Sequence, residues 1–498
     1  MKTSKNALQQ HISKRAVKNN RPYFLFLKLI LLSGICLCSL LISNSLFAQI
    51  PDTLWTKTYG GVQAEDGYSV QQTSDGGFII TGFTYSYGAG AIDIYLIKTN
   101  ADGDTLWTKT YGTFAVDEGR SVQQTSDGGF VITGTVWAQS KGKQVWLIKT
   151  DANGDSIWAK DFGGNNDEVG HCVQQTNDGG YIITGEVVVS GNLIDLWLIK
   201  TDSDGNYDWS KIYGGTRFDK GYSVQQTTDG GYIVTGYTGS FGAGYNDAWL
   251  LKTDAAGDTL WTKTFGGFDN DYGYSVQQTT DGGYFITGVS YSFGFGSGVY
   301  LVKTDASGDI LWTKNYEGGQ GKSGQQTSDG GYIITGWAEP LGPANSNVWL
   351  LRTNSSGDTL WTKTFGASEY EEGRSVKQTS DGGYIVCGFT DSYGAGVYDI
   401  WLIRVEAETT NVKETTEADF ELYPNPTRGK FRVSGIESGV TIKKIEIIDV
   451  FGKVVRSFTG KFIIDGMQLD LSQLPSGVYY CTLYTGEFIE TKKMLIVK

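Results

Sequence analysis

The sequence predicts an all-β fold: a seven-bladed β-propeller followed by a small β-sandwich. Three observations carry the prediction. Trp-x-Lys recurs at Trp55, Trp107, Trp158, Trp209, Trp261, Trp312 and Trp361, seven times at spacings of 49 to 52 residues. Asp-Gly-Gly keeps step with it, its aspartates being Asp75, Asp127, Asp178, Asp229, Asp281, Asp329 and Asp381. The composition is rich in Gly (69) and poor in Pro (7), with 29 Tyr, 23 Phe and 14 Trp, which is the profile of short strands joined by tight turns. A fixed period of this size is one supersecondary unit copied, each copy burying its apolar face on the next.

The chain opens with a basic stretch and then the apolar run FLFLKLILLSGICLCSLLISNSLFAQ. Residues 1–48 therefore read as a signal peptide cut after Ala48, with an uncleaved anchor as the alternative because the run approaches membrane-spanning length. These 48 residues carry seven basic side chains and no acidic one, so the formal charge of −13 becomes −20 for the exported part. Such a surface repels phosphate backbones and argues against nucleic acid as a partner.

Residues 50–406 form the array. Each unit reads as four strands: in the first, LWTKTY, SVQQT, FIITG and IYLIKT. Asp-Gly-Gly joins the second strand to the third, and Gly supplies the positive φ that such a turn demands. The array starts at Leu54-Trp55 with a strand whose unit is otherwise missing, and ends at Ile400–Arg404 without an eighth Leu-Trp-Thr-Lys. The first strand can thus complete the last unit, closing a ring and removing two exposed sheet edges. A Thr/Glu-rich linker follows at 407–418, and residues 419–498 alternate short strands and turns with no Trp and no trace of the repeat.

Two resemblances follow from these residues. Asp151-Ala-Asn-Gly154-Asp-Ser-Ile-Trp158 and Asp254-Ala-Ala-Gly257-Asp-Thr-Leu-Trp261 resemble the tryptophan-docking motif of quinoprotein-type blades, which implies that the Trp packs between adjacent blades. Asn100 and Asn354 depart from that motif, and nothing of the quinoprotein catalytic region is matched, so the likeness carries the fold and no cofactor. The C-terminal module resembles the type A sorting domain of the type IX secretion system of Bacteroidota. The motifs are Tyr423-Pro424-Asn425-Pro426, Asp449-x-x-Gly452-Lys453, Leu474-Pro475-x-Gly477-x-Tyr479 and the basic end Lys493–Lys498. This resemblance implies an immunoglobulin-like sandwich recognised by the outer-membrane translocon. It also implies a protein that crosses the periplasm and is then released or attached to the outer-membrane surface.

Catalytic chemistry finds little support. Apart from His11 in the leader, His171 is the one imidazole, and the cysteines beyond the leader, Cys172, Cys387 and Cys481, stand at unrelated positions. Carboxylates recur with the blade. Ten residues after each Trp stand Glu65, Asp117, Glu168, Asp219, Asp271, Lys322 and Glu371, and a charge present in every blade serves the blade. Glu186, Glu339 and His171 break the period but are scattered among blades. The acidic turns offer hard oxygen ligands at Asp102, Asp104, Asp151, Asn153 and Asp155, a weak calcium set without the trailing Glu of a twelve-residue calcium loop. No other cofactor is expected.

The variable parts are the loops after each Ile-Thr-Gly. They place Tyr85, Tyr87, Trp137, Phe241, Tyr245, Tyr291, Phe293, Trp337, Tyr393 and Tyr398 on one side of the ring. Flat apolar rings suit stacking on sugars or anchoring a protein. The expected function is a monomeric, exported binding or adhesion protein with a glycan or protein ligand. A polysaccharide lyase or hydrolase, and a purely structural surface component, are the alternatives.

Overall fold

The computed structural model describes residues 50–189, 191, 193–294, 296–339, 345–408, 420–434, 441–449, 453–463, 467–484 and 489–498. The leader 1–48, linker residues 409–418 and Gly452 lie outside the described residues. Among the described residues the architecture is all-β. Blade 1 holds the strands Glu65–Gln72, Phe78–Thr84, Asp93–Thr99 and Thr105–Tyr111, hydrogen-bonded in that order and antiparallel throughout. Five further four-stranded sheets repeat this order through Phe365, at 118–162, 169–213, 219–265, 271–317 and 319–365. The seventh sheet combines Glu371–Gln378, Tyr384–Thr390 and Asp399–Val405 with Thr53–Tyr59 from the start of the array.

Burial follows position in the blade. The middle strands FIITGFT and DIYLIKT are buried at every residue, because both faces of each sheet lie against neighbours. The outer strand TLWTKTY alternates exposed and partly buried residues, as an edge facing solvent should. The apolar clusters are shared between blades: Phe78, Ile80, Tyr95 and Ile97 of blade 1 pack with Ile385, Cys387, Ile400 and Leu402 of blade 7. Across that same junction the Ser380 amide donates to Gln72 Oε1 at 2.8 Å, the bond that Ser74 and Gln124 make between blades 1 and 2.

The periodic Trp sits in the outer strand and meets the aromatic ring that opens the second strand of the next blade. Trp107–Phe130, Trp158–Tyr181, Trp209–Tyr232, Trp261–Tyr284 and Trp361–Tyr384 have ring centroids 5.8 to 6.0 Å apart, and Trp55–Phe78 lies at 6.0 Å. Trp312 meets Tyr332 at 5.7 Å. Edge-to-face pairs of this kind contribute ~0.5–1.5 kcal/mol each beyond the area they bury. A glycine of the following turn covers the indole. Gly154 has φ of 78°, and a Cβ there would stand 2.7 Å from the Trp107 ring. Immediately after Val405 the sequence has no such Gly. Glu408 closes the gap instead, accepting from Trp361 Nε1 at 3.2 Å, Arg352 Nε at 2.6 Å and Tyr384 Oη at 2.8 Å. The Thr/Glu composition places Glu408 in the linker, but these bonds put it in the propeller.

The C-terminal module is a two-sheet sandwich. One sheet orders Glu421–Tyr423, Lys430–Ser434 and Met467–Asp470; the other orders Val454–Ile463, Thr441–Asp449, Gly477–Tyr484 and Ile489–Ile496. Phe420, Phe431, Ile445, Ile447, Leu469, Leu483 and Met494 fill the space between them. Cys172, Cys387 and Cys481 are free thiols.

Candidate functional site

Every inner strand carries a β-bulge at the same place. The antiparallel register shifts between Gly67 and Ser69, Gly119 and Ser121, Gly170 and Cys172, Gly221 and Ser223, Gly273 and Ser275, Gly321 and Ser323, and Gly373 and Ser375. The extra residue in each is left out of the ladder and re-aimed. In chain order these residues are Tyr68, Arg120, His171, Tyr222, Tyr274, Lys322 and Arg374. All seven line one cavity of about 410 Å³ on the axis between the inner strands. The backbone repeats sevenfold, while the side chains it turns toward the axis do not.

The mouth of this cavity is polarised. Along blades 3 to 5, His171 meets Tyr222 edge-on at 5.0 Å and Tyr222 meets Tyr274 at 5.4 Å. Opposite them, the guanidinium groups of Arg120 and Arg374 lie 5.0 and 5.1 Å from the Tyr68 ring centre. Lys322 joins the two sides, 4.6 Å over Tyr274 and 3.3 Å from Glu372. Each carboxylate at the mouth has a cation: Asp66 with Arg374 at 2.9 Å, Glu118 with Arg120, Glu186 with Lys220, and Glu372 with Lys322 and Arg374. Burial, with Arg120 and Lys220 adding, holds His171 well below the usual imidazole range, so it stays neutral. Burial raises the Asp66 carboxyl against the pull of Arg374, and lowers the Lys322 ammonium against that of Glu372. Asp66 Oδ1, Arg120 Nε, His171 Nε2 and Arg374 Nε are buried yet make no hydrogen bond among the described residues. That is an unusual concentration of unmet polar capacity.

Below the mouth the walls become regular. Gln71 Oε1 accepts the Gln124 amide of the next inner strand at 2.7 Å, and Gln123, Gln174, Gln225, Gln277 and Gln325 repeat this at 2.6 to 2.8 Å. Two residues break the pattern. Cys172 stands where the other strands have Ser, and Lys377 stands where they have Gln.

The residues singled out from the sequence fall into distinct places. Eight of the loop aromatics are exposed: Tyr85 at 40%, Tyr87 45%, Trp137 38%, Phe241 48%, Tyr245 68%, Tyr291 39%, Phe293 41% and Tyr393 46%. Several also rest one face on a neighbour, as Tyr87 does on Tyr95 and Tyr393 on Trp401. Trp337 and Tyr398 are partly buried, Tyr398 against Phe389 at 5.4 Å. These loops and the mouth share one edge of the ring, since Glu65 at the start of the inner strand pairs with Thr84 at the root of the loop.

The periodic aspartates serve the blade. Asp75 accepts from Thr73 at 2.6 Å and the Gly77 amide at 3.0 Å, and holds the buried Lys98 at 2.9 Å. Asp127, Asp178, Asp229 and Asp281 do the same with Lys149, Lys200, Lys252 and Lys303, and Asp329 and Asp381 with Arg352 and Arg404. Within the acidic turns, Asp104 is paired with Lys57 at 3.0 Å and Asp155 with Lys109 at 2.6 Å, both across a blade junction. Asp151 Oδ1 is taken by the amides of Asn153 and Asp155, and Asp102 is exposed. Among the described residues no three His, Cys, Asp or Glu side chains are grouped to hold a metal ion. Glu339 is exposed.

Glu65, Asp117, Glu168, Asp219, Asp271 and Glu371 are buried, and Glu65 shows their use: it accepts from Gly61, Thr84 and Ser86 at 2.8 to 3.0 Å, tying two loops together. Lys322 does not belong with them. The link into the sixth inner strand is three residues shorter, so the tenth residue after Trp312 is the bulge residue.

The sorting motifs are knitted into the sandwich. Asn425 donates from Nδ2 to Lys493 O at 2.8 Å and accepts the Leu495 amide at 2.9 Å, locking the Pro424-Asn425-Pro426 turn to the C-terminal strand. Asp449 and Lys453 exchange two bonds of 3.0 Å across their turn. Tyr479, two residues after Gly477, donates to Pro475 O at 3.1 Å. Residues 421–498 match the family model for the secretion system C-terminal sorting domain. The C-terminal module is that domain.

The sorting domain implies export by type IX secretion, to the cell surface or into the medium. No curated protein matches the chain. Among solved structures the chain is similar to PorZ, a surface component of the type IX secretion system of Porphyromonas gingivalis, at 11% identity over 85% of this chain and 69% of that one, with a TM-score of 0.35. It is also similar to a protein of unknown function from Dyadobacter fermentans, at 13% identity over 72% and 99% of the two chains, with a TM-score of 0.39. Raptor of Chaetomium thermophilum matches at 8% identity over 80% and 34%, with a TM-score of 0.46.

Sequence reasoning missed the bulge residues. The signal was present: between an invariant Gly and a Ser or Cys, one position changes in kind from copy to copy, Tyr, Arg, His, Tyr, Tyr, Lys, Arg.

Proposed function

We propose that this exported propeller is a glycan-binding protein that engages its ligand on the edge carrying both the aromatic loops and the axial mouth. The observation that carries this reading is the coincidence on one edge of half-exposed rings with seven bulge residues of four kinds, three Tyr, two Arg, one His and one Lys. Asymmetry is what a single asymmetric ligand requires of a symmetric scaffold. A second cavity on this edge, about 680 Å³, is lined by Phe114, Trp137, Trp146 and Asp161, an apolar floor with a polar rim of the kind that stacks a sugar ring. Binding is favoured over catalysis because each mouth carboxylate already has a cation and the one imidazole of the cavity is packed on Tyr222.

The test is a glycan array probed with the full chain and with Trp137→Ala and Tyr245→Ala. Both side chains are exposed, so the variants should unfold in urea like the parent and lose at least tenfold in affinity. An array without signal, or variants that bind as well as the parent, refutes the proposal.

A further inference from the structure

We propose that the axial cavity takes the carboxylate of an acidic sugar residue, held on the ammonium of Lys377; this rests on the glycan-binding reading above. The argument begins with a broken pattern. Six inner strands place a Gln whose Oε1 accepts the amide of the next strand, from Gln71 to Gln325. The seventh places Lys377, which has three donors and no acceptor and so cannot make that bond. Its side chain lines the axial cavity.

Among the described residues the Lys377 side chain has no ion pair and no hydrogen bond, whereas the mouth carboxylates are committed to Arg374, Arg120, Lys220 and Lys322. The cavity therefore carries one surplus positive charge inside a protein whose exported part is strongly acidic. Burial alone pushes the Lys377 ammonium below its ordinary range, with the Cys172 thiol opposing this only in part. The side chain is partly buried and faces the cavity; an ammonium with no counter-ion in such a confined place is unfavourable, and a bound anion would relieve it.

The surroundings fit a carboxylate on a ring. Ser323 and Ser375 line the same cavity as Lys377, each accepting an inner-strand amide at 3.3 Å and keeping its hydroxyl proton to donate. Above them Tyr222 and Tyr274, with ring centres 5.4 Å apart, line the same cavity. About 410 Å³ is at the low end for a ligand site and suits a group of one or two sugar residues. A carboxylate and a sulfate ester carry the same single charge, so the test separates them.

The full chain and Lys377→Gln are titrated calorimetrically with glucuronate, glucose, glucose 6-sulfate and inorganic sulfate. The substitution installs the residue of the other six strands, so the fold is retained, and urea unfolding of both proteins verifies this. The expected result is at least tenfold tighter binding of glucuronate than of the other three, with the preference erased in Lys377→Gln and glucose binding unchanged. Equal affinity for glucuronate and glucose, or a preference that survives the substitution, overturns the proposal and leaves the glycan reading standing. Tighter binding of glucose 6-sulfate or of free sulfate overturns the carboxylate assignment. Failure of all four ligands to bind overturns the proposal, while the array decides the glycan reading separately.

Discussion

Replacing Asp178 with Asn removes one negative charge from the Thr-Asn-Asp-Gly-Gly turn and leaves an oxygen that can still accept from Thr176 and Gly180. Partial burial alone would raise the Asp178 carboxyl. The Thr176 hydroxyl, the Lys200 ammonium and the Gly180 amide outweigh it and hold the group at about 2, against an ordinary 3.8. By linkage that difference corresponds to ~2.4 kcal/mol. The carboxylate is 63% exposed, so solvent screening reduces the figure to ~1 kcal/mol. Lys200 is buried and keeps the Thr201 carbonyl at 2.8 Å and the more distant Asp208 carboxylate at 3.8 Å, so its loss of Asp178 adds at most about 1 kcal/mol. Asp178→Asn is therefore expected to destabilise the propeller by about 1–2 kcal/mol at neutral pH. All fourteen tryptophans lie between residues 55 and 401, so urea unfolding followed by tryptophan fluorescence reports on the propeller and not on the sorting domain. The pH dependence has a definite sign. A depressed carboxylate stabilises fully above its unfolded value and loses that contribution as pH falls through its folded value. The gap between parent and variant should thus be constant above about pH 5 and shrink progressively between about pH 5 and pH 1. A gap as large at pH 2 as at pH 7, or equal urea midpoints at pH 7, would refute the assignment of Asp178 to a structural ion pair.

Two further outcomes follow from the blade junctions. Glu408→Ala should lower stability by about 1–2 kcal/mol, because Trp361, Tyr384 and the buried Arg352 lose a shared acceptor while Arg352 keeps Asp329; the same urea assay reads it. Gly154→Ala and Gly128→Ala both strain a left-handed residue, with φ of 78° and 85°, at ~1 kcal/mol. Only Gly154 faces an indole at 2.7 Å, so its variant should be the less stable of the two, and equal midpoints would remove the role given to the Trp107 contact.

How much of this was legible beforehand depended on whether seven copies faced the same physical problem. Trp107, Asp127 and Lys149 recur because every junction must be filled and every turn closed, and repetition exposes them. The sorting domain was legible for another reason: Asn425, Asp449 and Tyr479 sit at ordered spacings that one sandwich uses to fasten its turns. The axial site was hidden by geometry. A bulge adds a residue without changing the look of a strand, so Tyr68 and Arg120 read as ordinary strand residues, and the shorter sixth link moved Lys322 into the wrong column. Lys377 differs from six glutamines by a change that looks conservative in polarity, and only the lost acceptor gives it meaning. Glu408 lay in a stretch whose composition resembles a linker, and its partners are 24 to 56 residues away.

The bulges also bear on how such a protein changes over time. A residue outside the ladder holds no strand in register, so replacing it leaves the strand pairing intact. Seven such positions converge on one axis while the framework that carries them stays the same. Recognition and folding are thereby largely written in separate residues: a new specificity at positions 68, 222 and 274 breaks no ion pair, whereas a change at 120, 322 or 374 must be matched at the carboxylate it holds.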